Sequence, residues 1–208
     1  MAFQLEACTA KITLKPHYDY PTVFQDISVK VTFPGQGKIG SLSATRVRRE
    51  FCGGQFLSMM DGHSHDLMSL AFGLFDERGR VQAWLPSDPQ RKGTGCWGRE
   101  LNSGALIHII DVSVKEEYQN QGVGSWMIKK LLESQYITQN DNVTSWPAPT
   151  GAVTEKAQWI ALQDKQVAFF RKNGFRRIGR TAFFGYSPNP SHPSRLLPAS
   201  ADADANDL

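Results

Sequence analysis

Cysteine is scarce: Cys8, Cys52 and Cys96 lie far apart in 208 residues, with no C-x-x-C pair. That excludes a disulfide framework or a zinc module as the source of stability. No apolar run approaches the roughly 18 residues of a membrane span. The stretch from Met1 to Cys8 lacks the basic end and apolar core of a secretory signal. A cytoplasmic protein with no membrane partner is expected, with a nuclear location left open. Charge of one sign is also missing, since 23 basic and 20 acidic residues leave only +3. The basic clusters Arg46-Val47-Arg48-Arg49 and Arg171-Lys172…Arg176-Arg177 are short and separated, so no nucleic-acid partner is expected.

What is present suits a folded domain. The chain is 40% hydrophobic and 21% charged, which excludes a disordered, collagenous or coiled-coil protein, and its length predicts one domain. Alternation predicts strands over 3–14, 22–33 and 39–51, the last two joined as a hairpin through Pro34-Gly35-Gln36-Gly37. A helical stripe spans 56–75, split near Gly62, and Asp76–Gly79 reads as a turn. Residues 85–98 read as a loop. The strongest strand, 105–114, precedes a helix over 123–135, a short strand over 142–146 ended by Pro147 and Pro149, a helix over 154–172 and a closing strand over 177–186. This predicts one α/β domain over 1–186, a mixed, mostly antiparallel central sheet flanked by helices. Four of the eleven prolines fall in 187–208, which reads as a disordered tail.

Two glycine-rich segments compete as phosphate cradles. Gly93-Thr94-Gly95-Cys96-Trp97-Gly98 matches G-x-G-x-x-G but precedes a strand rather than a helix, so it reads as a flexible loop. Gln119-Asn120-Gln121-Gly122-Val123-Gly124-Ser125 has the right order, strand then turn then helix. A helix start presents unpaired N–H groups and partial positive charge, and glycine lets an anion come close. The plainer alternative is a turn that merely needs glycine. No Lys-Ser or Lys-Thr follows, so this is not a nucleoside-triphosphate loop.

The run Val112-Ser113-Val114-Lys115-Glu116-Glu117-Tyr118-Gln119-Asn120-Gln121-Gly122-Val123-Gly124 resembles the acetyl-CoA motif of the GCN5-related N-acetyltransferases: Gln or Arg, two residues, Gly, any residue, Gly or Ala. Ala168-Phe169-Phe170-Arg171-Lys172-Asn173-Gly174-Phe175 is similar to that family's second motif. The likeness is firm over 98–186 and loose over 1–97. It implies a GNAT-like fold and transfer of an acetyl group from acetyl-CoA to a primary amine of a small molecule or peptide, with no metal. It further implies that the backbone of Val112, Ser113 and Val114 pairs with the pantetheine arm. The amides of Gln119, Asn120, Gln121, Gly122, Val123, Gly124 and Ser125 would hold the pyrophosphate, and Gln163 and Phe170 would touch the cofactor.

An alkyl amine is almost all ammonium at neutral pH, and deprotonating it costs roughly 4–5 kcal/mol, so a general base is useful. His108, six residues before Val114, is the candidate, placed by period two on the face of Ile110, Val112 and Val114. The alternative is a His hydrogen-bonded inside a buried strand. Phe170 occupies the place where many family members carry a Tyr general acid. Tyr118, Tyr136 and Tyr186 are the possible substitutes, and a non-catalytic acyl-CoA-binding module is the rival function. Trp146 is a candidate for the acceptor groove or for the core, and Cys96 and Trp97 are candidates for the same groove. Asp61-Gly62-His63-Ser64-His65-Asp66 reads as a solvated turn rather than a metal site.

Overall fold

The computed structural model describes residues 3–149 and 154–205. Among them seven strands form one sheet: β1 (Thr9–Pro16), β2 (Phe24–Phe33), β3 (Gly37–Val47), β4 (Leu106–Val114), β5 (Asn142–Ser145), β6 (Arg176–Arg177) and β7 (Phe184–Tyr186). Their spatial order is β1-β2-β3-β4-β5-β7-β6, and every neighbouring pair is antiparallel except β4–β5. The helices are α1 (Phe56–His63), α2 (His65–Leu74), α3 (Trp84–Ser87), α4 (Val123–Leu132), α5 (Lys156–Lys172) and α6 (Pro193–Leu196). The mixed, mostly antiparallel sheet flanked by helices is the expected architecture.

Each face of the sheet has its own core. On one, α4 buries Val123, Met127, Ile128 and Leu131 against Val29, Val31, Leu42 and Ile109. Each such side chain contributes about 1.5–3 kcal/mol relative to exposure. The other face carries α1 and α2, with Phe56, Met60, Leu67 and Leu70 packed beside Phe24, Val47 and Leu106. The break between these helices falls at Ser64, two residues past Gly62. Ser64 is extended and caps α2, its side chain accepting from Leu67 N–H at 3.3 Å. The closing strand divides into β6 and β7, with Ile178–Phe183 turning between them.

The stretch 93–98, expected as a flexible loop, is anchored in the core. Cys96 and Trp97 are buried in the second core, and the Trp97 indole donates to Arg176 O at 3.2 Å. Gly185 makes room for that ring, because a Cβ there would lie 2.6 Å from Trp97. Both residues therefore belong to the core and not to an acceptor groove.

The tail also departs from expectation. Residues 187–205 lie packed on the domain, and 206–208 fall outside the described residues. His192 stacks on Trp97 at 4.6 Å, and Pro193 sits in the first turn of α6, where a missing N–H is harmless. Asp202, its side chain fully buried, pairs with Arg171 Nε at 2.8 Å and accepts from the Arg177 N–H at 3.0 Å. The prolines shape turns, and a buried ion pair fixes the end against edge strand β6. Replacing Asp202 with Ala leaves Arg171 and that N–H without their carboxylate. A loss of about 3 kcal/mol is expected in urea unfolding, against no change for a detached tail.

Candidate active site

β5 stays beside β4 for four residue pairs, from Leu106–Asn142 to Ile109–Ser145, and then leaves it. The sequence explains the departure. Pro147 and Pro149 have no N–H for a ladder, and Pro147 restricts Trp146 as well. The Trp146 ring packs on Phe183 at 5.7 Å, half-buried against the second core. On its other side β4 remains paired with β3 as far as Gly40–Val114. From Ile110 to Val114 the β4 backbone thus keeps one edge free of any strand among the described residues.

β4 also carries a bulge. Ala44 faces Ile109 and Ser43 faces Asp111, which leaves Ile110 as the extra residue. Ile109 and Val112 consequently share a face, since their partners Ala44 and Leu42 are two apart on β3. Ile107, Ile109, Val112 and Val114 pack with α4, while Leu106 packs with α1 and α2. His108 lies on the Leu106 face. The expected alignment of His108 with Val112 and Val114 fails because the bulge resets the period.

Beyond β4, Glu116–Tyr118 makes a 3-10 turn, Asn120 has φ +58° and Gly122 has φ +86° before α4 begins. Among the described residues, the N–H groups of Asn120 to Ser125 have no acceptor; the ladder starts with Trp126 N–H to Gly122 O at 2.9 Å. Six free amides at a helix start form an anion cradle. They border a cleft of about 400 Å³ whose floor is Val112 and Val114 and whose far wall is a stripe of α5: Lys165, Gln166, Phe169 and Lys172.

Most of the expected cofactor residues converge there: Val112, Val114, Gln119, Asn120, Gly122, Val123, Gly124 and Ser125 line the cleft. Ser113 points away and is exposed, and the Gln121 amide is turned back to Glu117 O at 2.8 Å. Gln163 and Phe170 do not line it. Phe170 is core, against Phe175 at 5.2 Å, and its neighbour Phe169 faces the cleft instead. Tyr118, expected only as a substitute acid, also borders it, and the four α5 residues were missed. The spacing of Lys165, Phe169 and Lys172, one per helical turn, was the available signal.

His108 is fully buried, its Nδ1 3.0 Å from Thr144 Oγ1. Burial pushes its pKa down to about 4. It is a neutral, hydrogen-bonded core side chain at ordinary pH, not a base poised near 6.5. Tyr186 lies outside the cleft, under Arg195 at 4.0 Å, and Tyr118 sits at the loop end of the cleft. His63 ends α1 with its ring 4.5 Å from both His17 and Phe24.

Residues 82–177 match the family model of the acetyltransferase (GNAT) domain. That stretch is similar to the family whose motifs the sequence resembles. No curated protein matches the chain at a significant level. Similar solved structures include Arabidopsis thaliana NAA60 in complex with a bisubstrate analogue, 13% identical, covering 78% of this chain and 75% of that one, with a TM-score of 0.38. Arabidopsis thaliana NAA60 in complex with acetyl-CoA is 14% identical, covering 77% and 76%, with a TM-score of 0.39.

Two glycines of the matched segment have structural causes. Gly174, at φ +85°, ends α5: its N–H donates to Arg171 O at 3.1 Å, and Phe175 N–H donates to Phe170 O at 3.1 Å. This is a Schellman cap with its apolar clasp, Phe170 on Phe175. Gly124 lets α4 approach α5, since a Cβ there would lie 3.1 Å from the Phe169 ring.

His108 makes stability depend on pH. Its folded pKa lies below the unfolded value of about 6.5, so the unfolded chain binds the proton first. The stabilisation is whole above pH 6.5 and is lost as pH falls toward 4, by about 3 kcal/mol. Urea unfolding of wild type and His108→Phe at pH 7.5 and 4.5 checks this, with the pH slope expected to flatten in the variant.

Proposed function

We propose that the GNAT domain moves the acetyl group of acetyl-CoA directly to a primary amine of a small molecule or a peptide. The observation that carries this reading is one cleft in which the free β4 edge meets the free amides at the start of α4. The residues present suit acetyl-CoA. Six unpaired N–H groups and the cations Lys165 and Lys172 match a pyrophosphate, and Gly122 holds a backbone angle that a side chain would strain. The N–H and C=O groups between Ile110 and Val114 offer a strand-like edge to an extended amide arm. Acetyl-CoA supplies the acetyl group as an activated thioester.

Direct transfer is favoured by the state of the thiols. Cys8, Cys52 and Cys96 are all buried, and burial raises each pKa, that of Cys52 to about 11, so none is a ready thiolate. The base role expected of His108 is not part of the proposal, given its buried face and low pKa. The chain binds and orients the reactants, and the amine reacts as its free-base fraction, a contribution of proximity rather than of proton transfer. The lack of a hydroxyl at Phe170 and the buried His108 favour the rival, an acyl-CoA-binding module without turnover. Binding of acetyl-CoA with no turnover across an amine panel would establish that rival.

Calorimetric titration of acetyl-CoA tests the cleft. Gly122→Glu places a carboxylate among the amides and strains φ, so loss of at least about 100-fold in affinity is expected; equal binding by the variant would remove the loop from the site. The pH dependence tests the chemistry. Without a histidine base, kcat/KM should climb about tenfold per pH unit from 6.5 to 9, toward the amine pKa. A plateau above pH 7 would require a titrating base.

A further inference from the structure

The loop Lys115–Gly122 is exposed along its whole length except at Tyr118, which is buried. Its amides can serve an anion only if the loop holds its shape, and Asn120 at positive φ gives it no help. Two internal bonds, Gln119 Nε2 to Val114 O at 3.0 Å and Gln121 Nε2 to Glu117 O at 2.8 Å, come from exposed side chains. Tyr118 is therefore the loop's anchor in the core. Its ring lies 6.2 Å from Phe33 and 5.3 Å from Phe3, and Phe3 in turn lies 5.2 Å from Phe33. Phe3 thus covers the anchor from the N-terminal side. Leu5 reaches the other end of the loop, where its Cδ2 would lie 3.5 Å from a Cβ on Gly122. Both arm residues are half-buried, and neither borders the cleft.

We propose that the N-terminal arm, residues 3–8, is a brace for the phosphate loop: Phe3 is a positioning residue that acts through Tyr118 on cofactor affinity. This rests on the acetyl-CoA reading given above. A loop that must order on binding spends part of its interaction energy on ordering, and a braced loop does not. The brace acts at the pyrophosphate end alone, because the pantetheine edge of β4 is fixed by β3.

That division supplies the test. Acetyl-CoA and acetyl-pantetheine, which lacks the pyrophosphate, are titrated into the full chain and into Phe3→Ala, by calorimetry and by NMR respectively. The expected result is a Kd for acetyl-CoA raised about tenfold, an unchanged Kd for acetyl-pantetheine, and recovery of most of the loss in Phe3→Leu, which refills the space. An unchanged acetyl-CoA affinity in Phe3→Ala, or equal weakening of both ligands, would overturn the brace. If Phe3→Ala fails to fold, Phe3→Val, which leaves part of the space empty, is compared with wild type and read by the same ratio. A wild-type chain that binds neither ligand removes the cofactor reading itself, and the brace with it.

Discussion

β5 pairs with β4 for four residues and then turns away, and the remainder of the site follows from that parting. A sheet that stayed closed would spend the N–H and C=O groups of Ile110 to Val114 on a neighbouring strand. Pro147 and Pro149 prevent this by removing donors where the ladder would continue, and Trp146 draws the chain toward Phe183 on the second core. The free edge costs little stability while it is solvated, yet it is a ready template for any extended amide-bearing arm. Because the two strands are parallel, the connection from β4 to β5 needs a long crossover, and here that crossover contains α4. That requirement sets the start of α4, with its unpaired amides, beside the same edge.

The bulge at Ile110 divides β4 into two phases. Before it, Ile107 and Ile109 face α4; after it, Val112 and Val114 do. One inserted residue therefore keeps apolar side chains under α4 along the whole strand while moving the even-numbered His108 to the opposite core. Its partner there is a hydroxyl, Thr144, on the strand that is about to leave. A neutral imidazole bonded across the last parallel pairs ties β4 to β5 just below the point where they separate. Burial without a counter-charge holds it neutral, which is what this structural part requires and what a base near pH 7 does not.

How much of this was legible depends on whether the cause is local. Strand, glycine turn and helix follow one another over 105–132, so the order of the cradle could be read directly, and so could the ends of β5 at its prolines. The bulge could not. A single extra residue leaves the hydrophobic pattern plausible in either phase, and only pairing with β3 decides it. The same holds on α5, where adjacent Phe169 and Phe170 differ in role because Phe175, beyond the cap, claims Phe170 for the core. Trp97 needed the notch at Gly185, and Asp202 needed Arg171 and Arg177; each is a contact between distant parts of the chain. Proline-rich composition alone suggested disorder, and it was the partners, absent from any local window, that made the tail part of the domain.

The cradle itself shows why its support must come from outside. Amides left free for a ligand are amides withdrawn from the loop's own stabilisation, and a non-glycine residue at positive φ adds about 1 kcal/mol of strain. A loop built this way has low local stability unless its surroundings over-determine it. Here the surroundings are a single buried ring, Tyr118, with Phe33 on one side and the N-terminal arm on the other, and a glycine pair that lets α4 start against Leu5 and Phe169. The contacts of Phe3, Leu5 and Phe33 are apolar and do not border the cleft, so they can fix the loop without competing for an anion. Rigidity and a vacant set of donors are compatible only because they are supplied by different faces of the same segment, Lys115 to Ser125.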